Sequence, residues 1–164
     1  MIDYVLHGET ATAVITPYAM ALISDDLFKM CRSYTNENNI PLAKYYVHCA
    51  SIEIGLKSAI LAKKCTKEQK KFIKELGHNL EKVAINYEQM YSPIWDSSEW
   101  GAVKQINKYF LKKDLEYFTI EMMGVALRGY KSLPDLNKVE SAARKVNDFL
   151  NENRYFIDVE IPQT

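Results

Sequence analysis

Glycine and proline are scarce in this sequence, six and five among 164 residues. A chain of many short strands needs frequent turns, and turns draw on these two residues; long helices do not. Cysteine is also sparse. Cys31, Cys49 and Cys65 are odd in number and widely spaced, with no C-x-x-C pair and no Cys/His cluster. That pattern suggests neither a disulfide framework nor a zinc site. Free buried thiols in a reducing cytoplasm are expected. Neither sign of charge is in excess: 21 basic and 21 acidic side chains cancel, so no global attraction to nucleic acid or anionic membrane is encoded. No apolar run approaches the ~18 residues of a membrane span. Residues 1–15 carry Asp3, His7 and Glu9 and lack the basic start and apolar stretch of a secretory leader. A soluble cytoplasmic protein is the expectation.

What is present is helical punctuation and helical periodicity. The length argues for one domain, long enough to bury a core without a metal or disulfide staple. Thr16-Pro17 supplies an N-cap and a first-turn proline. Met20, Ile23, Leu27, Met30 and Tyr34 follow at steps of three and four, which predicts one apolar helix face ending near Tyr34. Ile40-Pro41 opens a second helix. Leu42, Tyr45, Cys49, Ile52, Leu56, Ala59 and Ile60 form its stripe, to about Lys64. Gly55 inside it costs up to ~1 kcal/mol relative to Ala, which a close helix crossing would explain. Thr66 and Gln69 match a capping box, and Gly77 is a stop. Another helix starts near Asn79 with Leu80, Val83, Ala84 and Tyr87 on one face, and Ser92-Pro93 breaks it. Ser97 or Ser98 caps the next, with Val103, Ile106, Tyr109 and Phe110. Residues 113–133 give no clear pattern. Pro134 opens the last helix, with Leu136, Val139, Ala143, Val146 and Leu150 in register. The prediction is an all-α, up-and-down helical bundle of four to five main helices with one or two short ones. The bundle occupies residues 16–152, between an irregular segment 1–15 and a tail 153–164.

Two segments carry more than periodicity. The run Ala43 to Leu61 contains Ala50-Ser51-Ile52-Glu53-Ile54-Gly55-Leu56-Lys57, and Gly77-His78-Asn79-Leu80 follows about twenty residues later. Together they resemble the A-x-x-E-x-x-L-K and G-H-[DN]-L pattern of the HEPN superfamily, the higher eukaryotes and prokaryotes nucleotide-binding domain. Ile106 to Tyr109 and Leu115 to Phe118 resemble its C-terminal half more loosely. The likeness spans roughly residues 17–150. It implies a four- to five-helix up-and-down bundle, often dimeric, so the expected partners include a second copy. Active HEPN ribonucleases carry R-x(4–6)-H on a late helix. Here Arg32, Arg128, Arg144 and Arg154 have no histidine at that spacing, and the last histidine is His78.

The polar residues admit plain and sharp readings. Glu53 and Lys57, four apart with Glu first, read as a favourable helix-surface pair. The sharper alternative is a polar network that holds the His78 segment and orients its imidazole. Gly77-His78-Asn79 reads first as a turn and cap. His48, beside the apolar stripe, reads as a hydrogen-bonded packing residue. From Lys57 to Lys82 eight lysines outnumber Glu68, Glu75 and Glu81, a solvated face or a phosphate-binding one. Lys71 lies upstream of His78 but lacks arginine's fork. Trp95 and Trp100 plug a helix junction or stack on a base.

The leading expectation is a non-catalytic HEPN-like binding or interaction module, homodimeric, with no cofactor and no metal. A protein partner, a nucleotide or RNA are the other partners considered, and no membrane. If ligand is bound, Lys57, Lys71, Lys74, His78 and Asn79 are the candidate contacts. One alternative is a divergent metal-independent ribonuclease of toxin or phage-defence type using His78, His48 and Glu53. The other is a nucleotide-binding module.

Overall fold

A computed structural model describes residues 16–33, 42–63, 66–115 and 132–153, with the side chains of 66–70 excepted. Among these residues every regular element is helical: α1 Pro17–Ser33, α2 Leu42–Ala62, α3 Thr66–Leu76, α4 Leu80–Glu88, α5 Ser97–Leu111 and α6 Leu136–Glu152. The architecture is an all-α helical bundle.

Helix α2 is its axis. Thirteen of its 21 residues are buried, so it is covered on nearly every side. Cross-links fix the directions of its neighbours. Ser58 donates to the Pro17 carbonyl (2.6 Å), Ser24 to the Ser51 carbonyl (2.9 Å) and the Cys31 thiol to the Lys44 carbonyl (3.6 Å). Residue numbers rise on α1 as they fall on α2, so the two are antiparallel. Tyr45 donates to Pro134 O and Asn147 Nδ2 to Ser51 Oγ, so α6 runs parallel to α2. Helix α5 is antiparallel to α6, with Glu99 meeting Ser141 and Lys145 at one end and Tyr109 meeting Ser132 at the other.

Three helices meet at a buried polar seam. Ser24 of α1 donates between Ser51 O and Asn147 Oδ1, Ser51 Oγ donates to Ser24 O, and Asn147 Nδ2 donates to Ser51 Oγ and Ala143 O. Gly55 lies beside this seam. A Cβ there would stand 2.6 Å from Val146 Cγ1 and 2.7 Å from Ser24 Oγ. The close crossing expected for this glycine is present.

Several expectations need correction. The buried face of α1 is Met20, Ala21, Ser24, Phe28 and Cys31, whereas Ile23 and Met30 are exposed. Two apolar stripes share this helix, and the more polar one packs because small Ala21 and Ser24 permit close approach to α2. Helix α5 is capped by Asp96 in a full capping box with Glu99, one residue before the expected serines. The last helix, expected to open at Pro134, begins at Leu136 under an Asp135 cap. Thr16 does cap α1, its Oγ1 accepting from Ala19 N at 3.1 Å. Gly77 ends α3 with φ +57°, a left-handed stop that glycine adopts without strain. Segments 1–15 and 154–164, Tyr34, Pro41, Lys64, Cys65, the loosely HEPN-like residues 116–118 and most of the unassigned 113–133 stretch lie outside the described residues, as does the Thr66/Gln69 side-chain box.

Candidate functional site

Glu53 and Lys57 are not a surface pair. They project from the axial helix into the bundle, and each side chain is only 7% exposed. A buried charge needs a partner and satisfied hydrogen bonds. Lys57 Nζ donates to Glu53 Oε1 at 2.5 Å and to the Gly77 carbonyl at 2.6 Å. Gly77 is where α3 ends, so its carbonyl belongs to the orphan set left by a terminated helix. Lysine therefore neutralises the acid and ties off the α3 terminus together.

His78 completes the group. Its Nδ1 lies 3.1 Å from Glu53 Oε1 and 3.2 Å from Oε2. A carboxylate only accepts, so Nδ1 carries the proton and donates. That holds the ring with Nε2 on the opposite edge. The His78 side chain is 71% exposed, so an oriented imidazole stands over a buried ion pair.

The next residue is used inwardly. Asn79 is the N-cap of α4, its Oδ1 accepting from Lys82 N at 3.1 Å. Asn107 of α5 grips the same helix start. Its Oδ1 accepts from Leu80 N (2.9 Å), and its Nδ2 donates to Asn79 Oδ1 (3.1 Å) and Glu81 Oε1 (3.2 Å). The structure thus brings Glu53, Lys57, His78 and Asn79 to one turn, fastened from both α2 and α5.

His48 is not part of this group. It faces α1, with Nε2 3.2 Å from the Cys31 thiol and its ring tilted against Phe28. The thiol donates to Lys44 O, which assigns Nε2–H to the sulfur. Nδ1 is buried without a hydrogen-bond partner. Burial pushes the imidazole down to about 4, offset in part by Glu140, and pushes the Cys31 thiol up to about 11. Both are neutral near pH 7, a packing pair rather than a nucleophile and base. Burial also raises the Cys49 thiol.

Among the lysines of the 57–82 stretch whose side chains are described, Lys57, Lys63, Lys71, Lys74 and Lys82, most have other roles. Lys57 is buried, Lys63 Nζ donates to Met90 O and lies 3.9 Å over the Tyr91 ring, and Lys82 donates to Glu75 O. Lys71, on the exposed side of α3, stands 3.9 Å from Glu75, and Lys74 is exposed on the same helix. Trp95 is buried, donates to Ala142 O at 3.0 Å and stacks on Trp100 at 5.6 Å, with Lys104 over the Trp100 ring. The indoles fill the α5–α6 junction and occupy each other's faces.

Sequence reasoning passed over a second buried acid. Glu99 accepts from Asp96 N, Ser141 Oγ and Lys145 Nζ. Burial raises this carboxyl, and the Lys145 and Ser141 hydrogen bonds outweigh it, so the net displacement is downward. The signal was present: Asp96 and Glu99 are three apart immediately before an apolar run. Asn107 and Asn147, each beside a stripe residue, carried a weaker one.

No group of three or more potential metal ligands occurs among the described residues, and no described helix is long and apolar enough to cross a membrane. No protein-family model, curated protein or solved structure matches this chain.

Proposed function

We propose that the chain is a non-catalytic HEPN-like binding or interaction module that works as a homodimer. The observation that carries this reading is the use of Lys57: its ammonium lies inside the bundle, holding Glu53 and the Gly77 carbonyl. The cation that shares Glu53 with the exposed imidazole is thereby unavailable to clamp a phosphate. Asn79 is likewise committed to the α4 cap. The residues of the HEPN-like motif maintain a turn, and the R-x(4–6)-H pair that would perform cleavage is absent from the sequence. Incubating the pure chain with structured and single-stranded RNA should leave the RNA intact, with His78→Ala no different from wild type. Turnover that disappears in His78→Ala would overturn the proposal.

One observation favours the ribonuclease alternative. The His78 ring is exposed and oriented through Nδ1 by a carboxylate, as a general base is held. Glu53 is already neutralised by Lys57 at 2.5 Å, which weakens its pull on the imidazole. The nucleotide-binding alternative has less support, because Trp95 and Trp100 stack on one another. Titrating nucleotides while following their fluorescence should give no response.

A further inference from the structure

His48 and His78, the two histidines among the described residues, differ in which nitrogen is free. His48 is sealed: Nε2 faces the Cys31 thiol and Nδ1 lies buried. His78 is the reverse. Its Nδ1–H is held by the Glu53 carboxylate at 3.1 Å, while the side chain is 71% exposed. The Nδ1 edge therefore faces the bundle, and Nε2 faces out with its lone pair. A free imidazole passes its proton between both nitrogens, whereas this ring is held in one tautomer. The approach is open beside it, since a Cβ on Gly77 would meet no atom within 4 Å.

An outward lone pair on a ring whose far N–H rests on a carboxylate is the arrangement of a nitrogen nucleophile. Attack through Nε2 leaves the ring a cation that keeps its Nδ1 proton. That cation forms beside a carboxylate already in place to receive it, and Lys57, bound to the same carboxylate at 2.5 Å, fixes its position. Exposure selects the group that is carried. An acyl group on an imidazole standing in water hydrolyses quickly, whereas a phosphoryl group on the same nitrogen survives at neutral and alkaline pH. A carrier must also meet a donor and then a recipient, which an exposed ring on a fastened turn permits. The commitment of Lys57, which removes a clamp for strand cleavage, is no obstacle, because the activation of phosphorus lies in the donor's leaving group.

We propose that His78 Nε2, positioned by Glu53, is a phosphoryl-acceptor site charged by a donor of the acyl phosphate or phosphoramidate class. The Nε2 lone pair forms the N–P bond. The donor's P–O or P–N bond breaks, and its electron pair leaves with the carboxylate or the amine. The ring keeps its Nδ1 proton on Glu53, and no oxidant or reductant takes part. The transfer is stoichiometric and does not depend on the homodimer. The full chain should be incubated with acetyl phosphate and, separately, with phosphoramidate at mildly alkaline pH, then followed by phosphorus-31 NMR and peptide mapping. One acid-labile phosphoryl group should appear on His78, solely as the Nε2 isomer. Its rate should exceed that of the isolated peptide 74–82 roughly tenfold, and the reagent that succeeds names the donor class. His78→Gln should carry no label at this position. Glu53→Gln, which still accepts from Nδ1 but lacks the charge, should fall back to the peptide's rate. The wild-type isomer ratio reads the hold of Glu53 without any substitution, so the test stands even if Glu53→Gln fails to fold. No label on His78, label at Nδ1, the isomer mixture of the peptide, or a rate no greater than the peptide's with both reagents would overturn the proposal.

Discussion

Gly55 and His48 show how single positions on the axial helix govern stability. Gly55→Ala gains ~1 kcal/mol of helix propensity but inserts a Cβ under 3 Å from both Val146 Cγ1 and Ser24 Oγ. Ser24 cannot retreat without losing its hydrogen bonds to Ser51 and Asn147. Overpacking of this kind costs ~1–3 kcal/mol, so urea denaturation should show a net loss of about 1 kcal/mol. His48 makes stability depend on pH. Its folded value, about 4, lies below the ordinary 6.5, so the unfolded chain binds the extra proton in that interval. The contribution is complete above pH 6.5 and is lost as pH falls toward 4, by ~2–3 kcal/mol. Urea midpoints of wild type and His48→Leu between pH 7 and 4 should diverge in that window, the variant showing the flatter dependence. A second acid-sensitive residue is Asp96. Hydrogen bonds from the Glu99 and Ser98 amides and the Ser98 hydroxyl hold its carboxyl down to about 2, so its capping contribution persists above the ordinary 3.8 and disappears only as pH falls toward 2.

Between elements, one side chain can outweigh a whole motif. Lys57→Met should leave Glu53 buried without its counter-charge and the Gly77 carbonyl without its donor. Breaking one partner of a buried pair costs ~3–5 kcal/mol. His78→Ala removes an exposed ring and should cost less than ~1 kcal/mol. Thermal melts of the two variants separate the roles: a comparable loss in both would mean that the turn depends on His78 as much as on Lys57. Asn107→Ala should release the α4 start from α5 at a cost of ~1–2 kcal/mol, visible as faster amide exchange at Leu80. Much of this level was readable beforehand. Thr16, Gly77 and Asn79 announced their caps through residue type and spacing. The burial of Glu53 and Lys57 was not readable, because an i,i+4 acid–base pair has the same spacing on a solvent face as inside a bundle. Only the position of α2 at the axis decides between them.

At the scale of the whole molecule, periodicity located the helices but could not rank their faces. Most of the α5 and α6 stripes is buried as the spacing indicated, with Val103, Ile106, Phe110, Val139, Ala143, Val146 and Leu150 in the core and Tyr109 and Leu136 half-buried at its edge. On α1 the spacing pointed to Ile23 and Met30. Packing instead took the Ala21–Ser24–Phe28 side, because Ser24 finds partners on α2 and α6 that only the assembled bundle provides. Likewise, three charged residues in 21 positions of α2 read as one amphipathic helix, and burial on every side emerges only from its neighbours.

The seam of Ser24, Ser51 and Asn147 has a kinetic consequence. Ser24 and Ser51 are 27 residues apart, while Ser51 and Asn147 are separated by 96. The α1–α2 hairpin closes a short loop and can form early. The α6 contact must await a long closure whose entropy is spent before its bonds form. Docking of α6 should therefore lie on the native side of the folding barrier. Truncating Asn147 to Ala should accelerate unfolding and leave the refolding limb of the chevron nearly unmoved, while Phe28→Ala, in the hairpin, should slow refolding.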